Sequence, residues 1–155
     1  DNFTGVVGTK FTVGAKPLVV EFLGFEDPNG DGLQVSHAVG VWSASGELIA
    51  FAEVPEGTQA RHVAGWRYVA LEEETRLDAG EVYTVGAMVV AGADPWTDEA
   101  IESAGVRFRQ KASAASPPNV FNQGSVFVCP VSDGLGHPLR WGPANIIFKS
   151  VESGN

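Results

Sequence analysis

The sequence predicts an all-β fold, namely a jelly-roll-like antiparallel β-sandwich of about nine strands with one short helical turn. Three observations support this prediction. Short runs rich in valine, isoleucine and aromatic residues alternate with clusters of glycine, proline, asparagine and aspartate, which is the pattern of strands joined by turns. The 155 residues include 19 glycines and 9 prolines, which indicates many turns. Apolar residues hardly ever recur with the helical period.

The predicted strands are segments with the length and composition typical of strands. They are residues 6–13, 18–25, 35–42, 48–54, 66–71, 82–90, 106–110, 125–131 and 146–151. Between two of them, Gly46 can supply the positive φ that a tight hairpin needs. A helical turn is expected at residues 97–104, because Asp94 can cap it and Pro95 suits the first helical position.

Length, composition and charge describe one globular domain over residues 1–155. Hydrophobic residues make up 44% of the chain and charged residues 19%, which is typical of a folded protein. The formal net charge of −9 disfavours binding to nucleic acid and insertion into anionic membranes, because both present phosphate. The chain begins at Asp1 without an initiator methionine, as chains do after a leader is removed, so we expect a secreted protein.

A candidate metal site lies between the second and third predicted strands. Asp27, Asn29 and Asp31 place oxygen-bearing side chains at alternate positions, which is how a calcium loop begins. An EF-hand needs a glutamate at the twelfth position, where this chain has Ala38, so calcium would require further oxygens from elsewhere. The alternative is an Asx-rich turn that joins two strands and binds no metal.

Residues that could catalyse a reaction are few. The three histidines are scattered without zinc spacing, and neither a Gly-x-Ser-x-Gly motif nor a glycine-rich phosphate loop occurs. We therefore expect a protein that is not an enzyme. His37 falls inside a strand and is expected to be a hydrogen-bonded structural residue. Cys129 follows an apolar run and is expected to be a buried, unpaired thiol.

Two tryptophans are candidates for carbohydrate binding. Trp96 and Trp141 fall in predicted loops, where an exposed ring can stack on a sugar, whereas Trp42 and Trp66 fall in strands and are expected in the core. Together with the calcium loop, these residues predict a calcium-stiffened carbohydrate-binding module that recognises polysaccharide.

The N-terminal segment, residues 1–7, is a candidate for self-assembly. Phe3, Val6 and Val7 give it strand character, so it can pair either within its own sandwich or with the open sheet edge of a second copy. Donation to a second copy would propagate head to tail into a ring or a filament. On this basis we expect first an extracellular structural or adhesive protein that associates with copies of itself, with the carbohydrate-binding module as the alternative.

Short sequence segments between about residue 7 and residue 148 carry a family resemblance through their order and spacing. They are Asp31-Gly32-Leu33, Ser36-His37, Val39-Gly40-Val41-Trp42, Gly46, Leu48, Val54-Pro55, Gly57, Gly65-Trp66-Arg67-Tyr68, Leu77, Ala79-Gly80, Tyr83, Val85-Gly86-Ala87 and Gly142-Pro143-Ala144-Asn145. With them the chain resembles an uncharacterised β-sandwich domain of bacterial exported proteins, often those with a PEP-CTERM sorting tail. The resemblance implies export and a place at the cell surface or in extracellular matrix, and it supplies no catalytic residues. The final residues, 152–155, carry no such tail.

Overall fold

The computed structural model describes residues 3–96, 99–100, 119–130, 140–141 and 143–151, and for 99–100, 119–122 and 140–141 it describes the backbone. All elements within these ranges are strands. In chain order they are β1 (Gly5–Thr12), β2 (Leu18–Glu26), β3 (His37–Ser43), β4 (Leu48–Val54), β5 (Arg61–Val63), β6 (Trp66–Leu77), β7 (Val82–Val89), β8 (Glu99–Ala100), β9 (Asn119–Gln123), β10 (Arg140–Trp141) and β11 (Ala144–Ser150).

Two antiparallel sheets pack face to face. One has five strands in the order β4-β3-β7-β1-β9, and the other has four in the order β11-β2-β6-β5. Alternate residues of each strand point into the space between the sheets, because successive side chains of a strand face opposite ways. The resulting core includes the buried side chains of Val7, Val39, Val41, Val85, Leu23, Phe25 and Ile146. The predicted antiparallel sandwich is confirmed.

Several element boundaries differ from the sequence prediction. Strand β6 continues to Leu77 because its polar second half still pairs with β2, whose Leu18 lies opposite Leu77. The short strand β5 is absent from the prediction because its three residues are all exposed and have no apolar alternation. The predicted strand at 106–110 lies outside the described residues.

The predicted helical turn is wrong where the structure describes it. Glu99–Ala100 form strand β8 and pair with Arg140–Trp141 of β10. Pairing with a distant segment outweighs the local helix-start signal of Asp94 and Pro95, since short helices gain little from propensity alone. The rest of the predicted turn lies outside the described residues.

The predicted strand at 125–131 is also wrong over residues 125–130, a segment that we call the strap. It crosses the outer face of the five-stranded sheet, where Gly40, Gly86 and Gly8 lie side by side on β3, β7 and β1. A Cβ on Gly40 would lie 3.0 Å from Phe127, and one on Gly8 would lie 3.1 Å from Pro130. The row of glycines therefore forms a groove into which the strap packs.

The strap reaches from β3 to β1, because Phe127 lies against Gly40 of β3 and Pro130 lies against Gly8 of β1. Phe127 also packs against Trp42, with ring centroids 5.0 Å apart, and buries it. An apolar run that would otherwise form a strand is used here to cover a sheet face.

The N-terminal strand lies inside its own sheet. Strand β1 pairs with β7 along one side and with β9 along the other. Val6 and Val7 are buried, and Phe3 is partly buried against the core. Of the two pairings considered for the N-terminal segment, the structure has the one within the sandwich for its residues 5–7.

Cys129 lies in the strap and is half-buried, whereas the sequence predicted full burial. Burial raises the pKa of its thiol, although the charge of Lys10 and a hydrogen bond with Thr84 act the other way. Because the thiolate is the reactive form, we expect alkylation by iodoacetamide at pH 7.5 to be slower than in the urea-unfolded chain by on the order of tenfold, and to accelerate as pH rises. Equal alkylation rates for the folded and unfolded chains would show that the folded domain does not shield the Cys129 thiol.

Candidate functional site

A pocket of about 160 Å³ opens at one end of the sandwich. It lies between the β2–β3 loop, residues 27–36, and the segment that follows β7, residues 90–96. Its lining is rich in oxygen atoms and comprises Glu26, Asp27, Pro28, Asn29, Asp31, Gly32, Leu33, Gln34, Asp94 and Pro95. Two buried ion pairs hold the pocket walls, one on each side.

The first ion pair joins the β2–β3 loop to β6. The Nε of Arg67 donates to Oδ2 of Asp27 at 2.7 Å, and both side chains are nearly inaccessible to solvent. The same carboxylate accepts hydrogen bonds from the backbone N–H groups of Gly30 and Gly32. Both glycines have positive φ, 70° and 102°, which allows the chain to curl around the carboxylate.

The Arg67 guanidinium also binds three backbone carbonyl oxygens. Nη2 donates to Gly30 O at 2.9 Å, and Nη1 donates to Ala60 O at 3.0 Å and to Thr58 O at 3.3 Å. A single side chain from β6 therefore ties the β2–β3 loop to the β4–β5 loop.

The pKa of Asp27 reflects this environment. Burial acts to raise it, but the hydrogen bonds from Arg67 and Gly32 and the positive charges of Arg67 and His62 together hold it below the usual value for aspartate. Asp27 is therefore an ionised carboxylate whose oxygens are already bound by donors of this chain.

The second ion pair joins β3 to the segment after β7. His37 is fully buried and stacks on Phe25, with ring centroids 3.6 Å apart. Its Nδ1 lies 2.8 Å from the carbonyl oxygen of Met88, and its Nε2 lies 2.9 Å from Oδ2 of Asp94. The predicted role of His37 as a hydrogen-bonded structural residue is confirmed.

The contacts of Asp94 indicate the protonation of the His37 ring. The Asp94 carboxyl group also accepts hydrogen bonds from the backbone N–H groups of Gln34 at 2.7 Å and Val35 at 3.2 Å. A carbonyl oxygen can only accept, so Nδ1 of His37 donates to Met88, and Nε2 shares a hydrogen bond with the Asp94 carboxyl group. Asp94 thus fixes both the His37 ring and the end of the β2–β3 loop.

The three residues predicted to bind calcium all line the pocket but differ in burial. Asp27 is buried and bound to Arg67, whereas Asn29 and Asp31 are exposed on the rim of the pocket. Among the described residues, no group of three or more histidine, cysteine, aspartate or glutamate side chains is placed to hold a metal ion.

The two tryptophans predicted to bind sugar are placed differently. Trp96 follows Pro95, which lines the pocket, and is half-buried with part of its ring against the core. Trp141 lies in β10, where its side chain falls outside what the structure describes.

Sequence reasoning missed Arg67 and Asp94, which organise the site. A signal for Arg67 existed, since a charged residue within the apolar segment Gly65-Trp66-Arg67-Tyr68 indicates a buried partner. Asp94 had no comparable signal, because His37 and Asp94 are 57 residues apart and meet only through the sheet pairing of β3 with β7.

A comparison with protein families gives one match. The model of a family described as a domain of unknown function (DUF4082) matches residues 3–133. The chain belongs to this family. The matched residues run from β1 through the strap and include all four residues of the two buried pairs.

The comparisons with curated proteins and with solved structures found no match. Over the part of this DUF4082 domain that the structure describes, no helix has the length and apolarity to cross a membrane.

Proposed function

We propose that this DUF4082 domain is a non-enzymatic binding module of exported proteins and that the pocket takes a polyhydroxylated ligand, namely a segment of polysaccharide. The pocket carries the proposal, because its walls are held in place before any ligand arrives. Asp27 and Asp94 are each fixed by an ion pair and by backbone hydrogen bonds. A site organised in this way loses little conformational entropy on binding.

The chemistry of the lining favours hydroxyl groups as ligand donors. Asn29 and Asp31 stand on the rim, have no hydrogen bond to the rest of the described chain, and offer amide and carboxylate oxygens. Four acidic residues line the pocket, namely Glu26, Asp27, Asp31 and Asp94, and the lining includes no arginine or lysine, so a polyanionic ligand is disfavoured. The ligand class is therefore a neutral polysaccharide.

The contacts of His37 support a binding role in place of catalysis. Both ring nitrogens are bound to oxygen atoms, those of Met88 and Asp94, so the ring has no free nitrogen to take a proton from a substrate. Export to the cell surface or the extracellular matrix is part of the proposal and is supported by the resemblance to domains of exported proteins.

The N-terminal segment no longer supports the prediction of self-association into filaments. Strand β1 already has a partner on each side, so it has no free edge to offer a second copy. A route through another strand would use an open edge such as β4, where Phe51 and Leu48 are 50% and 43% exposed. Self-association therefore stays a prediction, separate from the binding proposal.

Affinity gel electrophoresis tests the binding proposal. The protein is run through gels that contain soluble β-glucan, xylan, mannan, α-glucan or polygalacturonate. We expect retardation by a neutral polysaccharide and none by polygalacturonate. Replacing Asp31 by alanine is expected to weaken the retardation by about tenfold, which corresponds to the loss of about one charge-assisted hydrogen bond.

The control variant is Glu53→Ala, which removes an exposed carboxylate on β4. Its retardation is expected to match that of the unmodified protein. If every gel leaves migration unchanged, or if Glu53→Ala and Asp31→Ala weaken retardation equally, the pocket is not a polysaccharide site.

A further inference from the structure

Asn29 on the rim of the pocket is placed to react with its own backbone. It is followed by Gly30, and no other asparagine of the chain precedes a glycine. Its side chain is exposed and has no hydrogen bond to the described part of the chain. Because glycine has no Cβ, its backbone nitrogen can approach the side chain of the preceding residue with little hindrance. The linkage between Asn29 and Gly30 is therefore a candidate for chemical modification.

The reaction open to this linkage is deamidation, which needs only water. The backbone nitrogen of Gly30 bonds to Cγ of Asn29, the proton of that nitrogen goes to the departing Nδ2, and ammonia leaves behind a cyclic succinimide. Water then opens the ring. Attack of water at Cγ gives aspartate, whereas attack at the backbone carbonyl carbon gives isoaspartate, in which the main chain runs through Cγ. Nothing is oxidised or reduced.

The turn that contains Asn29 opposes closure of the succinimide ring. In residues 27–30 the backbone nitrogen of Gly30 lies 3.2 Å from the carbonyl oxygen of Asp27, as in a β-turn. Asn29 has no positive φ and follows Pro28, so the turn is of type I. In such a turn the third residue has a ψ of about 0°, which turns its Cβ away from the next backbone nitrogen. Ring closure needs these two atoms nearly eclipsed.

Asp27 and Arg67 hold Gly30 from both sides, and we call these two residues the Gly30 clamp. The N–H of Gly30 donates to Oδ1 of Asp27 at 3.1 Å, and its carbonyl oxygen accepts from Nη2 of Arg67 at 2.9 Å. Arg67 also fixes Asp27, since its Nε donates to Oδ2 at 2.7 Å. The negative charge of the carboxylate opposes removal of the proton from the Gly30 nitrogen. The clamp therefore restrains the atom that must attack.

We propose that Asn29 is a site of spontaneous deamidation and that the Gly30 clamp sets its rate. The succinimide forms only while the clamp is open, so the rate is that of the unfolded chain multiplied by the fraction of time that the loop is open. The product adds an acidic residue to the four that line the pocket, and isoaspartate also lengthens the backbone at the rim. The inference does not rest on the proposed polysaccharide ligand.

Peptide mass spectrometry after storage in mildly alkaline heavy-oxygen water tests the proposal, because opening of the ring leaves heavy oxygen in the product. We expect the label at Asn29 in the folded protein. We expect it to appear about ten- to a hundredfold faster in the guanidinium-unfolded chain, which is the effect of losing a hydrogen bond to a charged group.

Asn145 is the internal control for the labelling. It is buried, its Nδ2 donates to the hydroxyl of Tyr68, and its Oδ1 accepts from the N–H of Ile146. We expect no label at Asn145 in the folded protein over the time in which Asn29 reacts. The two residues are read from the same digest, so differences in storage or digestion affect both.

Hydrogen exchange of the Gly30 amide measures the opening of the clamp independently, because the same opening releases that proton. We expect exchange at Gly30 and deamidation at Asn29 to be slowed by a similar factor relative to the unfolded chain. This comparison uses the unmodified protein alone, so it does not depend on whether any variant folds.

Two variants separate opening of the loop from unfolding of the domain. Arg67→Met breaks the clamp, whereas Asp94→Ala removes the other buried pair and leaves the clamp in place. We expect Arg67→Met to deamidate at Asn29 nearly as fast as the unfolded chain, and Asp94→Ala to react at a rate close to that of the unmodified protein. If Arg67→Met does not fold, the comparison of deamidation with amide exchange decides.

Four results would overturn the proposal. The first two are equal rates at Asn29 in the folded and unfolded chains, and a folded chain in which Asn29 takes up no label. The third is a Gly30 amide that exchanges as freely as in the unfolded chain although deamidation is slow. The fourth is equal acceleration by Arg67→Met and Asp94→Ala, which would show that the reaction follows unfolding of the whole domain.

Discussion

Replacing Arg67 by methionine is expected to destabilise the domain in metal-free buffer by about 3–5 kcal/mol, which is the usual effect of removing one partner of a buried ion pair. The variant leaves the Asp27 carboxylate buried without its cation and leaves three backbone carbonyls without their donor. Methionine keeps most of the side-chain volume, so the loss measures electrostatics and hydrogen bonding, with little contribution from a cavity. Urea unfolding followed by tryptophan fluorescence measures the free energy.

The matched control is Arg76→Met, because Arg76 also pairs with an aspartate but on the surface. In that pair the side chains of Arg76 and Asp78 are 56% and 67% exposed. An exposed pair contributes about 0–1 kcal/mol, so this variant is expected to unfold near the midpoint of the unmodified protein. Similar losses for the two methionine variants would contradict the role assigned to the buried pair.

Replacing Asp94 by alanine is expected to cost about 3–5 kcal/mol for a related reason. It leaves the buried ring of His37 without its side-chain partner and takes away the acceptor of two backbone N–H groups, those of Gln34 and Val35. Asp78→Ala is the control, since it removes an aspartate from the exposed pair. Chemical denaturation of the two variants side by side gives the difference directly.

Asp94→Asn separates the charge from the hydrogen bonds. The amide oxygen can still accept from the backbone N–H groups, whereas the amide nitrogen offers His37 a donor in place of an acceptor. We expect a smaller loss than for alanine, and a His37 ring that keeps its proton on Nδ1, next to the Met88 carbonyl, in both proteins. Long-range proton–nitrogen spectra of the ring detect that proton. A ring without a proton on Nδ1 would contradict the hydrogen bond to Met88.

The sheets follow from the sequence more directly than the site does. Strands such as β3 and β7 place apolar residues on one face at alternate positions, so composition and period are enough to recognise them. The same local pattern in residues 125–130 predicted a strand, although the segment packs against Gly40 of β3 and Gly8 of β1. That groove forms only when the registers of β1, β3 and β7 align Gly8, Gly40 and Gly86, and sequence spacing does not reveal registers between distant strands.

The loop that lines the pocket was recognised from its own residues, but the partner of its buried carboxylate was not. Asp27, Asn29 and Asp31 stand out in the sequence because oxygen-bearing side chains alternate there. Arg67 is 40 residues from Asp27 and reaches it through the pairing of β2 with β6, which local patterns do not reveal. Calcium binding by this loop stays a prediction.

The most direct test of the binding proposal is a map of where a sugar ligand touches the domain. Backbone amide spectra of the nitrogen-labelled protein are recorded while oligosaccharides from the neutral polysaccharide that retards it most in gels are added. The proposal predicts that the largest shifts fall on residues 26–34 and 91–96 around the pocket, and that they weaken in Asp31→Ala. Shifts centred on the exposed β4 edge around Phe51, or spread evenly over both sheets, would contradict it.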